Sequence, residues 1–222
     1  MEKKNVFVFL VLGIVCPRKN QIMAVEFFRE MKRQISERAQ SLNRHIPDVK
    51  LRIVGARRDR SYEIEYLDRL VDVIGCDDRD IEVFDVTDDV TTHYASASAL
   101  LFPSINEVTP LVIVEAMSCM LPVISTDVGG INEMIRDGVE GYVCKSLSPK
   151  LWASAMVDLV LDPELCCEMG RNGQKRHSEL FNQQQMVTNY QKVIMSLSPP
   201  VVLVDMDGIY CRMRNTVFRC LR

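Results

Sequence analysis

The stretch FPSINEVTPLVIVEAMSCMLPVISTDVGGINEMI, residues 102–135, decides how this chain is read. It opens at the end of a short apolar run, Ala99 to Phe102, expected as a buried strand that Pro103-Ser104 breaks. A helix is expected next, with Thr109 as its N-cap and Pro110 at the first helical position, where a missing N–H does no harm. Pro122 to Ser125 is a second apolar strand, running into Gly129-Gly130 and another helix start.

Two carboxylates flank the entry to the first helix, Glu107 before the cap and Glu115 about two turns in. At that separation along the axis they cannot share one metal ion, but they can line one ligand lying along the helix start. The free backbone N–H groups of Leu111 and Val112 suit a phosphate. An ionised Glu115 accepts hydrogen bonds only, so it can bridge both hydroxyls of a ribose. Glu107 then reaches what lies beyond the phosphates. A nucleotide-diphosphate sugar fits this spacing, and no metal is expected.

Working outward, strands and helices alternate. Val6 to Leu12 is an apolar run ended by Gly13 and a turn with Pro17. Ile22, Val25, Phe28, Met31, Ile35, Ala39 and Leu42 recur at three- and four-residue steps, the pattern of an amphipathic helix. Short strands are expected at 50–54, 81–86 and 141–144, and helices at 62–74 and near 94–97, the latter capped by Thr87, Asp88 or Asp89. Ser148-Pro149 starts a further helix ending near Asp162-Pro163, followed by helices over 165–181 and 183–197, with Trp152 in a packing role. The fold class is therefore α/β, a Rossmann-like parallel sheet of about six strands with helices on both faces and the ligand at the carboxyl ends of the strands. Gly55-Ala56-Arg57-Arg58 lacks the second and third glycines of the dinucleotide fingerprint, which sets NAD and FAD aside.

Composition adds bounds. The 222 residues are 47% hydrophobic and 26% charged with a net charge of −3, so nothing points to nucleic acid or an anionic membrane. Eight cysteines without a CxxC pair suggest buried thiols in a reducing compartment, hence a cytoplasmic protein. The opening MEKKNVFVFLVLGIVC mimics a signal peptide, yet no small-x-small site follows and the run is too short to span a bilayer. It is expected to be a buried strand, and no transmembrane segment is expected.

Glu107-x7-Glu115 with Ala116-Met117-Ser118, Leu121-Pro122-Val123-Ile124 and Asp127-Val128-Gly129-Gly130-Ile131-x-Glu133 resembles the donor-binding half of family 4 retaining glycosyltransferases of the GT-B fold. The bare acid pair is weak evidence; the pair inside this longer pattern is strong. The resemblance gives Glu115 the ribose and Glu107 the hydroxyls of the donor sugar. Gly13 to Lys19 resembles the family's first donor-side loop, in which an arginine after the glycine and a later lysine neutralise the diphosphate. Lys19 matches, but Ile14 stands where the arginine belongs. Arg18 either replaces that arginine or is a solvated loop charge. At Val108-Thr109-Pro110, where many members carry glycines, Pro110 removes an amide donor, and the Thr109 hydroxyl either compensates or only caps. Met120 likewise fills a position often taken by glycine.

The resemblance covers roughly residues 5–197, and residues 1–197 are expected as one carboxyl-terminal GT-B domain, with the amino-terminal acceptor half supplied in cis or in trans. The remainder, 198–222, is read as a linker and a strand ending in Asp205-Met206-Asp207-Gly208, which resembles the first motif of haloacid dehalogenase-like phosphatases cut short. Three readings stand: a transferase donor domain inactive by itself, a binding module without chemistry, and a phosphatase-related fusion with the transferase part as scaffold.

Overall fold

The computed structural model describes residues 6–42, 45–76, 78–181, 183–197, 202–204 and 210–212. By contacts the chain falls into two units, Met1–Glu179 and Leu180–Arg222.

The first unit is built on six parallel strands, β1 (Val6–Leu12), β2 (Asp48–Ala56), β3 (Ile81–Asp85), β4 (Ala99–Phe102), β5 (Val123–Thr126) and β6 (Gly141–Cys144). Their order is β3-β2-β1-β4-β5-β6, every neighbouring pair parallel. The apolar run near the amino terminus is thus the central strand, held by β2 on one side and β4 on the other. Its unbroken hydrophobicity follows, because a central parallel strand is covered on both faces.

Alternation along the strands sorts side chains onto two faces. Phe9, Val11, Leu51, Ile53 and Leu101 join the core that contains α1 (Gln21–Leu42), α2 (Ser61–Ile74) and α6 (Pro149–Leu161). Val8, Leu10, Leu100 and Val123 lie on the other face, equally buried, on the side of α3 (Val90–Ala95), α4 (Leu111–Ser118) and α5 (Ile131–Met134). Trp152 is fully buried and stacks on Phe27 at 4.4 Å, its indole N–H donating to the Ser146 carbonyl at 3.0 Å, which is the packing role expected of it. Helix α7 (Pro163–Leu180) crosses close enough to α4 that Gly170 abuts the Met120 carbonyl. Met120 itself sits at φ +58°, the left-handed conformation that explains glycine at this place in the resemblance.

One helix start differs from expectation. Pro110 (φ −74°, ψ 116°) is the extended N-cap residue and Leu111 the first helical one, so Thr109 does not cap α4. The loop before it is tied elsewhere: Gly130 N–H donates to the Val108 carbonyl at 2.9 Å, which delays helix entry past Thr109. The donor that Pro110 lacks is therefore the N-cap's own, and the N–H groups of Leu111 and Val112 remain. Helix α3 starts at the third of its candidate caps, Asp89, whose carboxylate accepts the Thr92 N–H at 3.2 Å.

In the second unit, α8 (Gln183–Leu197) is followed by a two-stranded antiparallel ribbon, β7 (Val202–Val204) and β8 (Tyr210–Arg212). Asp205, Asp207 and Gly208 lie outside the described residues.

Candidate donor-binding site

The strand order reverses between β1 and β4, so their helices leave on opposite faces and open a crevice at the carboxyl rim. Two loops meet there. The β1 loop is fixed by main-chain bonds to β2, from Gly13 N–H to Val54 and from Val15 N–H to Gly55, both 3.0 Å. A Cβ on Gly55 would lie 2.3 Å from the Gly13 carbonyl oxygen, so only glycine allows this approach. Gln21, wholly buried at the start of α1, reaches back to accept the Cys16 N–H at 3.3 Å and donate to the Ile14 carbonyl at 3.0 Å.

That scaffold presents Arg18 and Lys19 to Glu107 of the β4 loop. Arg18 Nη1 lies 2.6 Å and Lys19 Nζ 2.8 Å from the same oxygen, Glu107 Oε1. Lys19 also stands 4.9 Å from the Phe102 ring centroid, and Ile105 N–H donates to the Arg18 carbonyl at 3.0 Å, sewing the loops together. Gly13 is beside Lys19: a Cβ there would meet its Cε at 3.5 Å. Behind Glu107, a Cβ on Gly129 would sit 1.9 Å from the Glu107 carbonyl oxygen, so the β5 loop supports the β4 loop from below.

Helix α4 supplies the other half. With Pro110 outside it, Leu111 and Val112 occupy its first two positions, and an α-helix gives no internal acceptor to amides placed there. Thr109 is exposed, and a Cβ on Gly130 would lie 3.8 Å from its hydroxyl. Glu115 is exposed in the second turn, and its Oε2 accepts the Tyr94 hydroxyl at 2.7 Å. The structure thus joins Gly13, Arg18, Lys19 and Glu107 in one cluster, and holds Leu111, Val112 and Glu115 on the adjoining helix. Sequence reading missed Gln21 and Tyr94, whose partners are remote in the chain. It also missed Glu63, a buried carboxylate clasped by Arg57 at 2.6 and 2.9 Å, whose bonds hold it below the usual carboxylate range. The Arg-Arg run after Gly55 was the one available signal for that pair. His93 puts its ring edge-on to Phe84 at 5.2 Å, and its Nδ1 is buried without a hydrogen bond.

Volume alone would direct attention elsewhere. A depression of about 1160 Å³ opens at the amino-terminal rim, among Val6, Asp48, Ser98, Leu121 and Cys166, whereas Ile14, Arg18, Tyr62 and Glu63 line only about 300 Å³ at the carboxyl rim. The carboxyl rim is nonetheless where helix N-termini and both cations converge, which is what an anionic ligand needs. Among the described residues no three His, Cys, Asp or Glu side chains cluster to hold a metal ion, and no helix is long and apolar enough to cross a membrane.

Comparison with known proteins bears on the family and the fold. The chain is 34% identical over 111 residues to an uncharacterized glycosyltransferase of Methanocaldococcus jannaschii, covering 50% of this chain and 31% of that protein. It is 32% identical over 119 residues to the D-inositol 3-phosphate glycosyltransferase of Paenarthrobacter aurescens, covering 52% and 29%. It therefore spans about a third of the length of these relatives. Among solved structures, Anabaena HepE in complex with UDP and glucose superposes with a TM-score of 0.72 at 22% identity, over 87% of this chain and 49% of that one. The sucrose-phosphate synthase of Thermosynechococcus elongatus superposes at 0.68 and 25% identity, over 87% and 47%. The family described as glycosyl transferases group 1 matches residues 2–176, most of the chain, and to that family, with its GT-B Rossmann-like architecture, this protein belongs.

Proposed function

We propose that this chain is the donor-binding half of a retaining, family 4 glycosyltransferase, taking a nucleotide-diphosphate sugar at the carboxyl rim and handing the sugar to an acceptor bound elsewhere. The observation that carries the reading is the convergence of Arg18 and Lys19 on Glu107 at the strand switch point. In this reading the two cations take the diphosphate, the Leu111 and Val112 amides add donors to it, Glu115 grips the ribose, and Glu107 turns to the sugar hydroxyls. Thr109 lies beside the phosphates. Negative charge grows on the diphosphate as the glycosidic bond breaks, and fixed cations stabilise that charge more than they stabilise the ground state. Arg18 is the natural substitute for the missing arginine at Ile14, because its guanidinium already shares Glu107 with Lys19.

Transfer also requires both substrates in a water-excluded cleft. Ile105, Val108 and Leu111 stand 51%, 78% and 69% exposed at this rim, apolar surface that an amino-terminal half, in cis or in trans, would cover. The chain by itself is accordingly inactive in transfer. A second reading, a nucleotide-binding module without chemistry, is favoured by Ile14 alone. Calorimetric titration with UDP-, GDP- and ADP-sugars, on the wild type and Glu115→Ala, tests donor binding: one sugar nucleotide should bind and the variant should lose it. Turnover by the isolated chain, or no binding of any of the three, refutes the proposal. Transfer on adding an amino-terminal half separates enzyme from module.

A further inference from the structure

Resting on the assignment of Glu115 to the ribose, we propose that Tyr94 is a positioning residue that presets the Glu115 carboxylate for a vicinal diol and so sets the preference for ribose over deoxyribose. Tyr94 belongs to α3 and Glu115 to α4, and a hydroxyl–carboxylate bond of 2.7 Å links them. The tyrosine is 3% exposed although its helix is only six residues long, so the ring is anchored while the carboxylate reaches the surface.

A phenol has one proton to donate. Two acceptors lie within reach, Glu115 Oε2 at 2.7 Å and the Val112 carbonyl at 3.4 Å, and the shorter, charged one takes it. Burial, and next the neighbouring carboxylate, push the hydroxyl well above the ordinary tyrosine range, so it stays a donor at any working pH. A glutamate on a helix surface otherwise samples several rotamers. With Oε2 tethered, the carboxylate plane is set before a ligand arrives. Oε1 and the second lone pair of Oε2 then face outward, two acceptors spaced for two neighbouring hydroxyls. The Val112 carbonyl, 3.4 Å away, is left without that proton, so the tether runs to Glu115.

Immobilising one rotamer-rich side chain is commonly worth a factor of about 3 to 10 in affinity. The test measures binding of the nucleoside diphosphate that the wild type prefers among UDP, GDP and ADP, beside its 2′-deoxy form. Tyr94→Phe should weaken the ribo form about 3- to 10-fold and leave the deoxy form nearly unchanged, so that the ratio between them shrinks. In a Glu115→Ala background the same change should have no further effect. Equal weakening of both ligands, or no weakening, overturns the proposal by making Tyr94 a packing residue. A wild type that binds both forms equally, or a ratio that survives Glu115→Ala, overturns the ribose assignment and this inference with it. Thermal melting of each variant accompanies the titrations. If Tyr94→Phe does not fold, Glu115→Asp, which draws the carboxylate back from Tyr94, must shrink the ratio in the same way or the proposal fails.

Discussion

Replacing Gly129 by alanine examines how the β5 loop holds Glu107 in place. Gly129 has φ +57°, and its added Cβ would stand 1.9 Å from the Glu107 carbonyl oxygen and 2.9 Å from the carbonyl carbon. Two costs follow. The left-handed backbone penalises any Cβ by about 1 kcal/mol or slightly more. The overlap is with backbone, which cannot swing aside as a side-chain tip can, and overpacking of this kind costs about 1–3 kcal/mol. Gly138 provides the control: its φ is +75°, but nothing lies within 4 Å of the added Cβ, so Gly138→Ala carries the first cost alone. For a domain of this size 1 kcal/mol lowers the melting temperature by about 2–4 °C. Gly138→Ala should then melt about 2–4 °C below wild type and Gly129→Ala about 4–16 °C below it. Only Gly129→Ala should also weaken sugar-nucleotide binding, since the β4 loop relieves the overlap by carrying Glu107 away from the place where it would meet the sugar hydroxyls. Calorimetric melting and titration of both variants supply the measurement. Equal melting temperatures, or unchanged affinity in a destabilised Gly129→Ala, would refute the claim that this glycine positions Glu107.

Three further outcomes are expected. Glu107→Gln should tighten binding of inorganic pyrophosphate, because it frees Arg18 and Lys19 from a competing carboxylate, while Arg18→Ala should weaken it about fivefold, a modest share since that side chain is half exposed; titration at two salt concentrations decides. Gly170→Ala, which by helix propensity alone would stabilise α7 by about 1 kcal/mol, should destabilise it, as its Cβ would lie 2.1 Å from the Met120 carbonyl oxygen; Gly173→Ala, whose nearest contact is 3.7 Å, should stabilise, and melting curves compare the two. Burial pushes the Cys144 thiol up to about 12 from its ordinary 9.0, so its contribution to stability is whole below pH 9.0 and drains away as pH rises toward 12. Peptide-resolved alkylation at pH 8 should therefore mark the exposed Cys76, Cys119 and Cys167 and spare Cys144, and labelling of Cys144 in the folded protein would contradict the assignment.

How far the primary structure reached can be judged at particular residues. The apolar run 6–12, the strands at 99–102 and 141–144 and the helix from Pro149 are legible because each carries a local signal: unbroken hydrophobicity, a breaking proline, or a proline at a helix start. The acid pair Glu107 and Glu115 is legible for the same reason, as a fixed spacing within one segment. Thr109 misled because capping is decided by where the preceding backbone is tied, and the tie runs from Val108 to Gly130, across two strands. Arg18 could be read only as an alternative until the fold put it 2.6 Å from Glu107, 89 residues away. Tyr94 and Gln21 gave no signal, since a tyrosine or a glutamine shows its purpose only when a remote partner is in place. The sequence by itself therefore determined the elements, the parallel architecture and the acid pair proposed to face a ligand, all properties of short-range pattern. Only the tertiary structure decided which cations those acids meet and which side chains hold them still, because hydrogen bonds and ion pairs act over about 3 Å in space and are blind to distance along the chain.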